Sequence, residues 1–128
     1  MDVDLVVNGI SGFAGLLPSL RTIELGINIA LANKEPIVSA GNILLNKAKI
    51  SGSKILPVDS EHNALFQILS NYKKRDIEAI VLTASGGPFR EDELVQLCKR
   101  SPKEALKHPK WNMGPKNSID SATMMNKA

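Results

Sequence analysis

Lys54-Ile55-Leu56-Pro57-Val58-Asp59-Ser60-Glu61-His62-Asn63-Ala64-Leu65-Phe66-Gln67-Ile68-Leu69 is the run whose reading decides the fold. Its first five residues, 54–58, are a short apolar segment of the kind a buried strand requires. Residues 64–69 read as the apolar core of a helix. Between them two carboxylates, a hydroxyl and an imidazole fall within four residues, where a strand ends and a helix begins. In open α/β sheets ligands bind at that junction. Asp59 and Glu61 are two apart, so on an extended backbone both would point to one side. Two convergent carboxylates repel unless a proton or cation intervenes, and a hard divalent ion such as Mg²⁺ or Mn²⁺ is the usual answer. The same residues also suit a plain helix start, with Asp59 or Ser60 as cap and Glu61 as a favourable first-turn acid.

Working outward, the same alternation repeats. Leu5–Asn8 reads as a strand, followed by the glycine loop Gly9-Ile10-Ser11-Gly12-Phe13-Ala14-Gly15 and a helix over 16–25 that tolerates Pro18 in its first turn and ends at Gly26. A second strand is expected at 28–32, a second helix at 37–48, a third helix at 60–70 and a fourth strand at 79–83. The expectation is an α/β fold, alternating strands and helices with a mainly parallel sheet, its strands nearly continuous Val, Ile and Leu as when both faces are covered. After Thr83 the pattern changes to a turn-rich loop at 84–89, short helices at 91–99 and 102–107, and an irregular flap whose stretch 108–115 has no periodicity.

Composition excludes several classes. One hundred and twenty-eight residues suffice for a real core, and no apolar run is long enough to cross a bilayer. No basic-then-apolar leader pattern is visible at Met1, and Cys98 is alone, which suits a reducing cytoplasm. The net charge is +3, with basic residues gathered from Lys99 to Lys116, either a steering surface for an anion or a solvated face. Aromatic residues, 4 % of the chain, are too few to stack single-stranded bases, so no nucleic-acid partner is expected, and no membrane partner either.

Other polar clusters sit at loop positions. The glycines at 9, 12 and 15 do not make the G-x-G-x-x-G dinucleotide pattern and suit an anion edge or a tight turn equally. Asn33-Lys34-Glu35 ends the second strand and offers an amide, an ammonium and a carboxylate, either for a ligand or as a surface pair. Ser85-Gly86-Gly87 follows the expected fourth strand, with backbone N–H groups able to approach an anion. At 118–123 a helix is expected to start with Asp120 or Ser121 as cap, so that Ser121 with Asn126 and Lys127 would form a phosphate clamp or merely a capped polar helix. His108, Trp111 and Met113 belong to the flap, as a lid over a ligand or as a solvated loop with a satellite core.

Four segments in their order and spacing resemble the 1-deoxy-D-xylulose 5-phosphate reductoisomerase family: Leu31-Ala32-Asn33-Lys34-Glu35, Leu56 through Asn63, Ser85-Gly86-Gly87-Pro88-Phe89-Arg90, and Asp120-Ser121-Ala122-Thr123-Met124-Met125-Asn126-Lys127. The resemblance implies an oxidoreductase of isoprenoid biosynthesis that rearranges its phosphosugar and reduces the product with NADPH and a divalent metal (Mn, Mg or Co). It implies that Asp59 and Glu61 are metal ligands and, with Lys34 and His108, the catalytic set. Lys34, Ser60, Glu61, Ser85, His108, Ser121, Asn126 and Lys127 would meet the substrate, and Trp111 would cover it. Asn33, Glu35, Met113 and Gly114 would border the cofactor. The family also has an upstream glycine-rich NADPH phosphate loop and a helix continuing Asn-Lys-Gly-Leu-Glu, whose glutamate is a third metal ligand. The chain is therefore expected to be an internal fragment of a homodimeric, multidomain cytoplasmic enzyme, inactive alone. Residues 1–58 would be the C-terminal part of a nucleotide-binding α/β domain, and 59–128 the N-terminal part of a catalytic domain with its flap at 85–116. A non-catalytic sugar-phosphate-binding module is the alternative.

Overall fold

The computed structural model describes residues 3–125 and 127 and divides into two compact units, 1–79 and 80–128. In the first unit β1 (Leu5–Asn8), β2 (Asn28–Leu31) and β3 (Ile55–Pro57) form a parallel sheet in the order β1-β2-β3. Leu5 pairs with Asn28 and Asn8 with Leu31, while Leu31 pairs with Pro57. Helix α1 (Leu16–Glu24) carries the first crossover and α2 (Glu35–Ser51) the second. Right-handed crossovers in a sheet built in one direction put both helices on one face, and α1 and α2 do pack together.

The core follows from the period-two alternation of β2. Ile29 and Leu31 face the helices and join Ile23 of α1 with Leu44 and Ala48 of α2, with Leu16, Leu20 and Ile55 at the margin. The opposite face does not match the expectation of a sheet covered on both sides. Leu5 is 46 % and Val7 68 % exposed there.

Local chemistry sets the helix ends. Gly26 at φ +74° turns the chain after α1, its N–H donating to Ile23 O. Helix α2 starts two residues earlier than expected because Pro36 occupies its first turn, where no N–H is needed, and Gly52 at φ +79° closes it. A kink at Ala40 (φ −144°, ψ 29°) interrupts it just before Gly41. Asp59 is the residue preceding α3 (Ser60–Leu69), and Glu61 lies in the first turn. The apolar stretch 64–69 is not the buried core expected of it: no residue of α3 is fully buried, and Phe66 and Ile68 are exposed.

The fourth strand is absent. Residues 79–83 have no regular structure, with Ile80 and Val81 exposed. Hydrophobicity alone does not make a strand; its backbone groups need a neighbour, and no strand pairs with this segment among the described residues. The second unit is built from a 3₁₀ turn at Gly87–Phe89, single-turn helices α4 (Leu94–Leu97) and α5 (Pro102–Ala105), and α6 (Pro115–Ala122). Helices α4 and α5 are shorter than the expected 91–99 and 102–107. Each begins on a reciprocal cap, Glu93 with Gln96 and Ser101 with Glu104. Helix α6 starts at Pro115 behind Gly114, five residues before the expected Asp120, since proline at a first helical position has its φ already set.

Candidate functional site

Three consecutive loops leave the sheet at its carboxyl edge in the first unit: 9–15 after β1, 32–34 after β2 and 58–59 after β3. Their base is a polar network. Asn8 is buried, its Nδ2 donating to Gly15 O (2.9 Å) and Ser19 Oγ (2.7 Å), while its Oδ1 accepts from Ile10 N (3.0 Å). Asn33, 7 % exposed, ties the first loop to the second: its Nδ2 donates to Ile10 O and to Gly12 O (3.1 Å). Gly15 makes room for that amide, because a Cβ there would lie 2.4 Å from Asn33 Nδ2. The Oδ1 of Asn33 is buried without a hydrogen-bond partner, a costly arrangement unless a ligand donor reaches it. Sequence reasoning missed Asn8 and Ser19. A polar residue ending a buried strand just before a glycine loop was the available signal.

Lys34 precedes α2, Glu35 is its first residue, and both are half-buried. Asp59, Ser60 and Glu61 stand at the next loop along the same edge. Val58 N donates to Leu31 O (3.1 Å), holding the two loops side by side, and Asn63 Nδ2 donates to Pro57 O (2.7 Å). The extended backbone expected to point Asp59 and Glu61 to one side is not present across the pair, since Glu61 is already helical. His62 Nδ1 lies 2.8 Å from Asp59 Oδ1, a contact the sequence reading did not assign. Asp59 and Glu61 are hard oxygen donors and both are half-buried, so in donor type they fit Mg²⁺ or Mn²⁺. No group of three or more His, Cys, Asp or Glu side chains able to hold a metal occurs among the described residues. An ion there would take further oxygens from water or substrate.

The second unit has its own cluster. Ser85 Oγ is 3.1 Å from His108 Nε2 and 3.1 Å from Ser121 Oγ. Gly86 (φ +79°) and Gly87 (φ +63°) let the 3₁₀ turn lie against the end of α6; a Cβ on Gly87 would be 2.8 Å from Ser121 O. The His108 ring stacks on Trp111 at 4.8 Å and 9°. Ser121 belongs to the last turn of α6 and not to its start, so it offers a hydroxyl and no helix N-terminus, which corrects the helix start expected at 118–123. Asp120 is buried and pairs with Lys116 (2.7 Å) instead of capping. Gly114 caps α6, and the carbonyl of half-buried Met113 accepts from Ser118 Oγ (3.4 Å). Lys127 is half-buried, its N–H donating to Met124 O (3.0 Å), and Asn126 lies outside the described residues.

The basic run is exposed, and Arg100 and Lys116 within it are engaged in ion pairs. Arg100 grips Asp92 through two bonds of 2.7 Å and reaches Glu104 at 3.0 Å, with its guanidinium 5.8 Å from the Phe89 ring centre. These carboxylates, Asp92 foremost, raise the Arg100 pKa, while the Ser101 backbone N–H, the Ser101 hydroxyl and Arg100 lower that of Glu104 to about 2.

A parallel sheet with polar loops gathered along one carboxyl edge places the chain in the open α/β class, in which ligands bind at that edge. Residues 55–128 match the family model described as 1-deoxy-D-xylulose 5-phosphate reductoisomerase C-terminal domain, and 1–41 match the one described as 1-deoxy-D-xylulose 5-phosphate reductoisomerase. The chain belongs to the 1-deoxy-D-xylulose 5-phosphate reductoisomerase family. It is 56 % identical over 126 residues to the reductoisomerase of Clostridium novyi, covering 98 % of this chain and 33 % of that protein, and 54 % identical over 124 residues to that of Chlorobium phaeovibrioides. Among solved structures it is similar to a DOX-P reductoisomerase in complex with NADPH, fosmidomycin and magnesium, at TM-score 0.78 and 46 % identity over 98 % of this chain and 33 % of that one. It is also similar to the Zymomonas mobilis enzyme in complex with NADPH, at TM-score 0.78 and 44 % identity over 99 % of this chain and 32 % of that one. The chain thus spans about a third of the length of the curated relatives it matches.

Proposed function

We propose that this chain contributes part of the active site of an NADPH- and divalent-metal-dependent enzyme that rearranges 1-deoxy-D-xylulose 5-phosphate and reduces it to 2-C-methyl-D-erythritol 4-phosphate. The observation that carries this reading is its similarity, across 98 % of its length, to reductoisomerases. Residues 1–58 then belong to the nucleotide-binding domain and 59–128 to the catalytic domain, with 85–116 as flap. The working enzyme is read as a cytoplasmic homodimer. No helix of the described residues is long and apolar enough to cross a membrane.

When bound, a divalent ion supplies Lewis-acid polarisation of the keto-sugar oxygens and NADPH supplies the hydride. Asp59 and Glu61 hold the ion by charge and by oxygen donor type. Ser60 and Lys34 meet the sugar oxygens, Lys34 as a cation that favours negative charge developing on oxygen. Asn33 presents its buried, unpartnered Oδ1 as an acceptor for an amide-type donor such as a carboxamide, with Glu35 beside it in sequence and Met113 and Gly114 as further cofactor contacts. Ser85, Ser121, Asn126 and Lys127 bind the phosphate, whose remoteness from the reacting carbons makes its binding energy available for closing the flap. His108 holds substrate from the flap, and Trp111 keeps water out.

The test is consumption of NADPH with 1-deoxy-D-xylulose 5-phosphate and Mn²⁺ by the protein that carries this sequence, paired with calorimetry of the sugar phosphate with and without Mn²⁺. Turnover, and metal-dependent heat of binding, support the reading. Metal-independent binding without turnover in the full-length protein favours a non-catalytic sugar-phosphate module instead.

A further inference from the structure

The backbone of the flap identifies which nitrogen of His108 carries the proton. The N–H groups of Lys110 (3.2 Å) and Trp111 (3.1 Å) both donate to Nδ1. A ring nitrogen accepting from two N–H donors has its lone pair there and no hydrogen. The neutral imidazole therefore carries its proton on Nε2, the atom facing Ser85 Oγ at 3.1 Å. Ser85 then accepts from His108 and turns its own hydrogen to Ser121 Oγ, also at 3.1 Å. Ser121 accepts in turn, and its hydrogen is not consumed within the chain of bonds.

We propose that Trp111 is a positioning residue that locks His108 in the Nε2–H tautomer and thereby sets the direction His108 to Ser85 to Ser121. Its backbone N–H, with that of Lys110, fixes where the proton sits, and its indole, parallel to the imidazole at 4.8 Å and 9°, holds the ring in the plane where both N–H groups reach Nδ1. The opposite tautomer would press an Nδ1 hydrogen against two amide hydrogens. It would also reverse the chain, so that Ser121 donates to Ser85 and Ser85 to His108, leaving no hydroxyl hydrogen for an incoming anion. Direction thus decides whether the cluster can donate to a phosphate group. It also sets this serine–histidine pair apart from a nucleophile with its base, because a protonated Nε2 cannot take the Ser85 hydrogen.

The consequence for the ligand rests on the phosphate-binding reading of Ser85 and Ser121; the tautomer does not. The experiment is long-range ¹H–¹⁵N correlation on the full chain labelled at histidine, with His108 assigned by its loss in His108→Gln, repeated during titration with inorganic phosphate. The expected spectrum shows a lone-pair Nδ1 and a protonated Nε2 in the wild type, tautomer averaging in Trp111→Ala, and recovery in Trp111→Phe. Phosphate affinity is expected to fall about tenfold in Trp111→Ala, the weight of one charge-assisted hydrogen bond, and to return in Trp111→Phe. An Nδ1–H or averaged tautomer in the wild type overturns the proposal, as does Trp111→Ala with an unchanged tautomer. An Nε2–H tautomer in a chain that ignores phosphate upholds the lock and refutes the phosphate reading.

Discussion

Gly15→Ala tests the link between the glycine loop and the site most directly. Gly15 has ordinary helical dihedrals, φ −72° and ψ −12°, so its backbone gives no reason to prefer glycine. On propensity alone the alanine should be neutral or stabilising, by up to about 1 kcal/mol. The surroundings predict the reverse. The new methyl carbon would lie 2.4 Å from Asn33 Nδ2 and 2.9 Å from Ile10 O. Asn33 must swing out, losing its bonds to Ile10 O and Gly12 O, each worth about 1 kcal/mol net. Crowding of the Ile10 carbonyl adds about another 1 kcal/mol of backbone adjustment. After the propensity gain, the expected cost is about 2 kcal/mol. Urea unfolding followed by circular dichroism measures it, and a double-mutant cycle with Asn33→Ala apportions it. Gly15→Ala should cost much less when Asn33 is already truncated, retaining only the carbonyl contribution. A neutral or stabilised Gly15→Ala, or the same cost in both backgrounds, would refute the role given to Asn33 as the tie between the two loops.

Asp59→Asn is expected to weaken Mn²⁺ binding by at least about tenfold, because it halves the carboxylate pair; unchanged metal affinity in calorimetry would remove Asp59 from the ligand set. Leu44→Ala should destabilise the first unit by about 3 kcal/mol, since Leu44 is fully buried among Ile23, Ile29, Leu31 and Ala48, and a loss under about 1 kcal/mol in denaturant unfolding would show that this core is loosely packed. Glu104, held at about 2 by Ser101 and Arg100, is depressed below its ordinary 4.5. Its contribution to the stability of the second unit is therefore complete above about 4.5 and lost as pH falls through about 2. A carboxyl NMR titration with its midpoint near 4.5 would contradict the clamp.

The first sixty residues were legible because each element there is specified locally. Apolar runs bounded by Gly26 and Gly52 mark β1, β2, β3 and the helices between them to within a few residues. Legibility failed where an element depends on a neighbour. Residues 79–83 have the composition of a strand but find no pairing strand among the described residues, so they are irregular. The start of α6 was misplaced by reading Asp120 as a cap, when Pro115 already supplied the helical φ and Asp120 was engaged with Lys116 one turn away. That places Ser121 at the other end of its helix from the one expected, with its hydroxyl 3.1 Å from that of Ser85.

The amino-acid order alone settled the α/β class, the junction that bears Asp59 and Glu61, and the family, because strand and helix periods, turn glycines and contiguous polar motifs are all short-range properties of a chain. Tertiary structure alone brought His108 and Ser121, 23 and 36 residues away, to the hydroxyl of Ser85, and left Asn33 with a buried oxygen lacking a donor. Proximity across such separations depends on packing and on left-handed glycines at 86 and 87, and the proton position on His108 depends on where two backbone N–H groups point. Neither is encoded in any window of sequence short enough to be read on its own.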